Sequence, residues 1–166
     1  MSTDAIVVLK DDHKKIRTMF RQFRAAGENA HVRKGKLATQ IIEELTVHTY
    51  IENECMYPEV RALLPEVTDD VLESYEEHHV ADVLCLELHA MKPDAERFVA
   101  KMTVLIENVE HHMDEEEQEW FPKVREGVGR KKLGEIGARM LEMKKTAPRS
   151  PLQPKAMKKA VDAVIA

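Results

Sequence analysis

Two stretches of the chain carry the same punctuation: HTYIENECMYP at residues 48–58 and HMDEEEQEWFP at 112–122. A shift of 64 residues superposes His48 on His112, Glu52 on Glu116, and Tyr57-Pro58 on Phe121-Pro122. A shift of 65 lays DDHKKIRTMFRQF (11–23) over EEHHVADVLCLEL (76–88) and places His13 on His78. A chain with such self-similarity is built from two copies of one supersecondary unit. The period of its apolar residues says which unit.

That period is helical. Ile6, Leu9, His13, Ile16, Phe20 and Phe23 step by three and four, behind a capping Ser/Thr/Asp cluster and ahead of the stop signal Gly27. A second stripe starts near Val32 and runs through Leu37, Ile41, Leu45, His48, Glu52 and Cys55, until Pro58 disturbs it and Pro65 ends it. The third, after Pro65, uses Val71, Tyr75, His78, Ala81, Cys85 and Leu88 and stops before Pro93. The fourth begins there, through Phe98, Met102, Leu105, Val109, His112 and Glu116. Four long helices with short connections predict an all-α, up-down-up-down four-helix bundle over residues 1–128. Residues 129–166 read as a helical extension: KKLGEIGARMLEMKK, the Pro/Ser linker TAPRSPLQP, and a last amphipathic segment. It would pack on the bundle or in a partner's groove, the partner being another protein or a second copy.

Composition excludes several classes of partner. With 25 basic and 30 acidic residues interspersed, no basic face or acidic tail points to nucleic acid or a membrane surface. No apolar run approaches the roughly 20 residues that span a bilayer, so a soluble cytoplasmic protein is expected. Cys55 and Cys85 form neither a disulfide framework nor a CxxC pair. Each sits seven residues, about 10 Å, beyond a seam histidine, on helices expected to run antiparallel. The thiols should lie ~20 Å apart, too far for a disulfide, and are read as buried spectators.

The polar residues on the seams carry the chemistry. A histidine and a glutamate four apart share a helix face, about 6 Å apart along the axis. Helices 2 and 4 each supply one such pair, and helices 1 and 3 each add an imidazole. A single histidine on an apolar stripe reads as a hydrogen-bonded core residue; four in a repeated order do not. The set converges as four imidazoles and two carboxylates inside an apolar bundle, with no Lys or Arg on the seams at that depth. Buried carboxylates cost several kcal/mol unless a positive charge compensates them, and a metal centre would. Mixed imidazole and carboxylate suits iron, manganese or zinc, and the lack of thiolate argues against an Fe-S cluster or a structural zinc finger. Facing carboxylates can each bridge two ions, so a dinuclear site is the natural occupant, with iron ranked first. His31, His79, His89 and His111 lie off the stripes and read as solvated, although a register error of one residue would exchange His79 or His111 for a neighbouring ligand.

Asp12-His13, HTYIE at 48–52 with the following Tyr-Pro, EEHH at 76–79, and HMDEE at 112–116 with the following Phe-Pro resemble the hemerythrin-like, HHE cation-binding domain over residues 4–128. The resemblance implies a four-helix bundle around a non-haem di-iron centre with an oxo or hydroxo bridge. Its terminal ligands would be His13, His48, His78 and His112, and its bridging carboxylates Glu52 and Glu116. It also implies that the centre engages O2, peroxide or NO. LGEIGARMLEMKK is similar to the extension that follows the bundle in bacterial members.

One departure bears on function. Oxygen-carrying members have a fifth histidine one turn from the third-helix ligand, where this chain offers Ser74 and Asp82. They also have an Asp five residues after the last histidine, where Glu117 stands beside the better-aligned Glu116. Losing one imidazole opens one more exchangeable position and favours inner-sphere reaction over reversible carriage. The expectation is turnover or sensing of reactive oxygen or nitrogen species, including peroxide disproportionation. Tyr75, one turn before His78, is a candidate hydrogen-bond donor at the centre, set against an ordinary core tyrosine on a backbone carbonyl. Glu117 reads as a replacement ligand or a solvated side chain. Three classes follow: an oxidoreductase, a non-catalytic O2, NO or redox sensor acting through a partner, and, ranked last, iron storage or a structural metal site, because ferritin-like bundles order their motif Glu-x-x-His.

Overall fold

The structure, a computed structural model, describes residues 3–165. Helix α1 spans Ala5–Ala25. Its N-cap Asp4 accepts from the amides of Ile6 and Val7, satisfying two of the orphan donors of a helix start. Helix α2 (His31–Ile51) runs through a π-helical turn (Glu52–Met56) into α3 (Tyr57–Leu63). A short 3-10 turn (Pro65–Val67) leads to α4 (Thr68–Ala90). Helix α5 (Phe98–Glu115) likewise enters a π turn (Glu116–Trp120) and continues as α6 (Phe121–Val128). Helices α7 (Arg130–Lys144) and α8 (Pro154–Ile165) complete an entirely helical chain among the described residues.

Pro58 disturbs its helix, as the apolar pattern suggested, without ending it. Proline has no N–H to give to an earlier carbonyl, and the frame slip of the π turn falls just before it: the Tyr57 amide bonds back five residues to the Glu52 carbonyl, and Pro58 follows. The second half repeats the device with Phe121 bonding to Glu116 ahead of Pro122. Helix α5 also starts later than expected. Residues 93–97 form turns, and Pro93 packs so closely on Gly35 of α2 that a Cβ there would come within 2.5 Å of its ring.

Helices α1, α2, α4 and α5 form a closed ring, α1 touching α2 and α5, α4 touching α2 and α5. Each crosses the same boundary between two apolar clusters. Ile6 and Leu9, Ile51 and Met56, Val71, and Trp120 and Phe121 belong to one cluster. Ile16 and Phe20, Ile41 and Leu45, Ala81 and Cys85, and Met102, Leu105 and Val109 belong to the other. Each fully buried large side chain contributes about 1.5–3 kcal/mol. Between the clusters lies a polar slab: His13, His48, Glu52, His78, His112 and Glu116.

The C-terminal helices are part of this core. Leu133, Ile136 and Met140 of α7 are fully buried in the first cluster. Gly137 of α7 lies so near the start of α1 that a Cβ would overlap the Thr3 carbonyl oxygen. Helix α8 packs on α4 and α2, inserting Ala156 and Lys159. Cys55 and Cys85 are free and buried, and no helix among the described residues is long and apolar enough to cross a membrane.

Candidate metal centre

Glu52 and Glu116 have no solvent exposure, and each touches both halves of the repeat. Glu52 Oε2 lies 3.3 Å from His48 Nε2 and 3.2 Å from His78 Nε2. Glu116 Oε2 lies 3.3 Å from His13 Nε2, and its Oε1 lies 3.6 Å from His112 Nε2. The donor atoms fall into two groups, each compact enough for one ion: His13, His48, Glu52 and Glu116, and then Glu52, His78 and His112. Glu52 is common to both.

Every imidazole is oriented from behind by the neighbouring helix. His48 Nδ1 is 3.3 Å from Asp12, His78 Nδ1 is 2.6 Å from Asn53 Oδ1, His112 Nδ1 is 2.6 Å from Glu77, and His13 Nδ1 is 2.7 Å from Glu117. Each acceptor stands one residue from a cluster residue on its own helix, and the links run one way around the ring: α1 to α2, α2 to α4, α4 to α5, and α5 back to α1. Because the partners are oxygen acceptors, each Nδ1 carries the hydrogen and each Nε2 presents a lone pair inward, as metal-binding histidines do.

That tautomer leaves a conflict which a cation resolves. His78 and His112 point Nε2 lone pairs at each other across 3.0 Å. His13 Nε2, His48 Nε2, both oxygens of Glu52 and Oε2 of Glu116 are buried without a hydrogen-bond partner. Buried polar atoms rarely go unpaired, and five of the six such side-chain atoms among the described residues lie at this point, His79 Nδ1 being the sixth. The residues present fit a pair of cations.

Electrostatics agree. Burial, reinforced by the Glu116 charge, pushes the Glu52 carboxyl well above its ordinary range. Burial would do the same to Glu116, but His112, His13 and His48 hold it below that range. His78 is driven well below the ordinary imidazole value by burial and then by His112. Burial would also lower His13, but Glu116 and Glu117 outweigh it and raise it. Among the described residues, positive charge is supplied behind the cluster: Arg17 on Glu117 at 2.7 Å, Lys144 on Asp12 at 2.5 Å, and Lys159 on Asp82 at 2.8 Å.

The sequence pattern of the hemerythrin HHE cation binding domain matches residues 4–124, which contain the whole cluster. The chain belongs to the hemerythrin family. Over 121 residues it is 27% identical to a DNA nickase of Nostoc, and over 112 residues 26% identical to an uncharacterized hemerythrin-like protein of Schizosaccharomyces pombe. The matches cover 73% and 67% of this chain but only 33% and 54% of those relatives, so the chain spans about a third and about half of their lengths. It shares its fold with the crystal structure of a hemerythrin HHE cation binding domain-containing protein from Mycobacterium kansasii. The TM-score is 0.72 at 24% identity, over 96% of this chain and 98% of that one.

The hydroxyl inside the cluster is that of Tyr57. It donates to Glu116 Oε1 at 2.7 Å and lies 3.2 Å from His78 Nε2 and 3.4 Å from His112 Nε2. Five positions along a regular α-helix rotate about 140° past a full turn, which would point Tyr57 away from Glu52. The π turn takes up the excess residue and returns Tyr57 to the Glu52 face. The one signal in the sequence was the proline standing ten residues after the histidine in both repeats. Tyr75 stands outside: its hydroxyl donates to the Asn53 carbonyl at 3.4 Å, and its ring meets Tyr57 edge-on at 5.2 Å. Ser74 bonds the Asp70 carbonyl and acts on the Tyr57 hydroxyl, and Asp82 pairs with Lys159; neither belongs to the two donor groups. Glu117 acts from behind on His13 and Arg17, which hold its carboxyl down to about 2. His79 and His111 both lie off the cluster, His111 on the surface. Phe121, the counterpart of Tyr57, stacks on His13 at 6.2 Å and brings no hydroxyl. At this position the two halves differ by one hydroxyl oxygen.

Proposed function

We propose that this chain holds a dinuclear non-haem iron centre and uses it to bind O2 or react with small oxidants, peroxide or NO, in the cytoplasm, as part of a defence against oxidative or nitrosative stress. The ions would be held by His13, His48, Glu52 and Glu116 on one side and by Glu52, His78 and His112 on the other. The observation that carries this reading is the pair of inward Nε2 lone pairs on His78 and His112, 3.0 Å apart beside a carboxylate common to both donor groups. Two iron ions held there supply reversible redox equivalents and an exchangeable position for a small oxidant. The chain's own groups do the rest. Asp12, Asn53, Glu77 and Glu117 fix the imidazole tautomers; the two apolar clusters exclude water on either side; Tyr57 Oη holds a proton beside Glu116, at the His78/His112 end. We assign to Tyr57 the donor role that the pattern offered to Tyr75.

An oxidoreductase releases O2 from peroxide by disproportionation, 2 H2O2 giving 2 H2O and O2, or consumes NO. The test is metal analysis with absorption spectra of reduced and air-exposed protein, followed by peroxide turnover. Two irons per chain with oxo-bridge bands, and O2 release lost in His112→Ala, are expected; a fully loaded protein without turnover rejects the enzyme.

The buried Lys159 favours a second reading, a sensor. This ammonium of α8 donates to Thr49 Oγ1 at 2.7 Å and pairs with Asp82, residues beside and one turn from His48 and His78. A reversible spectral change with O2 or NO, accompanied by altered hydrogen exchange in α8 and no turnover, would select it.

A further inference from the structure

We propose that the outer face of α4 and α5 carries a separate divalent-cation site, formed by His111, Glu115 and Glu77, that stages ions bound for the interior. His111 Nε2 lies 3.0 Å from Glu115 Oε1 and 3.7 Å from Glu77 Oε1. The three donor atoms lie within 4.8 Å of one another. An ion about 2.0–2.2 Å from each would need only a small closing of the set. His111 and Glu115 repeat, one residue earlier on the same helix, the His112 and Glu116 spacing of the interior. The third donor comes from the facing helix, as it does inside. His111 is 63% exposed, so an ion arrives directly from solvent and the remaining coordination positions stay with water.

Two observations separate this triad from an ordinary surface ion pair. First, its carboxylates are paired with imidazoles and not with a lysine or arginine. Glu73 and Glu119 flank Glu115 closely enough to act on it together with Glu77, and among the described residues no lysine or arginine forms an ion pair with any of these four carboxylates. Four carboxylates facing one imidazole concentrate divalent cations locally. Second, Glu77 is already anchored. Its Oε2 accepts from His112 Nδ1 at 2.6 Å, which fixes the carboxylate plane and leaves Oε1 directed at His111. Glu77 also lines a small pocket, of about 10 Å³, shared with His48, His78 and His112. One carboxylate thus faces the outer triad with one oxygen and an interior imidazole with the other. The mixed nitrogen and oxygen set suits Mn2+, Fe2+ or Zn2+ better than Mg2+ or Ca2+, and its openness makes it weaker than the interior.

The outer site stands on its own donors whichever ion the interior prefers. The test titrates metal-free full-length protein with Mn2+, following bound ion by electron paramagnetic resonance and calorimetry, for the wild type, His111→Ala and Glu115→Gln. Neither variant alters a residue of the interior cluster. The wild type should bind one more ion than either variant, at least tenfold more weakly than the interior ions. Ferrous uptake into the interior should slow fivefold or more in both variants, with final interior occupancy unchanged. Equal ion counts in all three proteins overturn the site, and an extra ion with unchanged uptake overturns the staging role. If the interior takes no ion, the outer site still gives one ion against none, so the two readings fail separately.

Discussion

Tyr57 donates its hydroxyl proton to Glu116 across 2.7 Å, joining the aromatic position of the first half to the carboxylate of the second. Burial, with the charges of Glu116 and Glu52, holds that phenol well above its ordinary range, so without a cation it keeps its proton. Tyr57→Phe should alter the visible spectrum of the loaded protein and its response to azide or peroxide. Tyr75→Phe, which gives up only a 3.4 Å bond to a backbone carbonyl, should leave both unchanged. Absorption titrations of the two variants decide between them.

Glu52 serves both donor groups, so Glu52→Gln should reduce interior stoichiometry from two ions to at most one, measured by metal analysis after desalting. Stability should move the other way in the absence of metal. Replacing a buried, uncompensated carboxyl with a neutral amide should leave the stripped protein unchanged or up to about 2 kcal/mol more stable in urea melts. The wild type, in turn, should gain about 4 kcal/mol when free metal exceeds its Kd a thousandfold, and the variant should lose most of that gain.

Lys159 is buried against Asp82 and Thr49. Lys159→Met leaves Asp82 in a desolvated setting without its cation and should cost about 2–4 kcal/mol, toward the lower end of broken buried pairs. Lys159→Met combined with Asp82→Leu should recover most of the loss. Hydrogen exchange should show α8 released in the single variant and held in the double.

Burial, then the Asp82 charge, pushes the Cys85 thiol up to about 12. The folded state therefore keeps the proton that an unfolded thiol releases near pH 9, and stability falls as pH rises from about 9 toward 12. Cys85→Ala should show a shallower alkaline loss between pH 9 and 10.5 in urea melts. At pH 8 neither cysteine of the native wild type should react with a disulfide reagent within minutes, and both should react once the chain is unfolded.

The residues that converge were legible because they obey regular helix geometry. His13, His48, His78 and His112 fall on stripes stepping by three and four, and Glu52 and Glu116 follow their histidines by one turn. Tyr57 was not legible because the π turn breaks that geometry at the one place where it matters. The outer acceptors left a weak trace, a polar residue beside four of the six cluster residues: Asp12, Asn53, Glu77 and Glu117. Arg17, Lys144 and Lys159 left none that a stripe reveals. Arg17 sits one turn past His13, off the seam, and the two lysines arrive from helices whose docking place only the folded chain defines. The reading of residues 129–166 as an appendage underrated α7 for the same reason, since a short amphipathic helix does not announce which groove it fills.

The one-way circuit of imidazole supports has a consequence for assembly. Sliding any of the four rods by a single turn, about 5.4 Å, severs both the support it gives and the one it receives, and disarms two histidines together. A misregistered bundle can bury its oily residues almost as well as the native one, yet it cannot present the ions with a complete cage. Metal capture would therefore act as a proofreader of helix alignment, rewarding the one arrangement in which all four supports close.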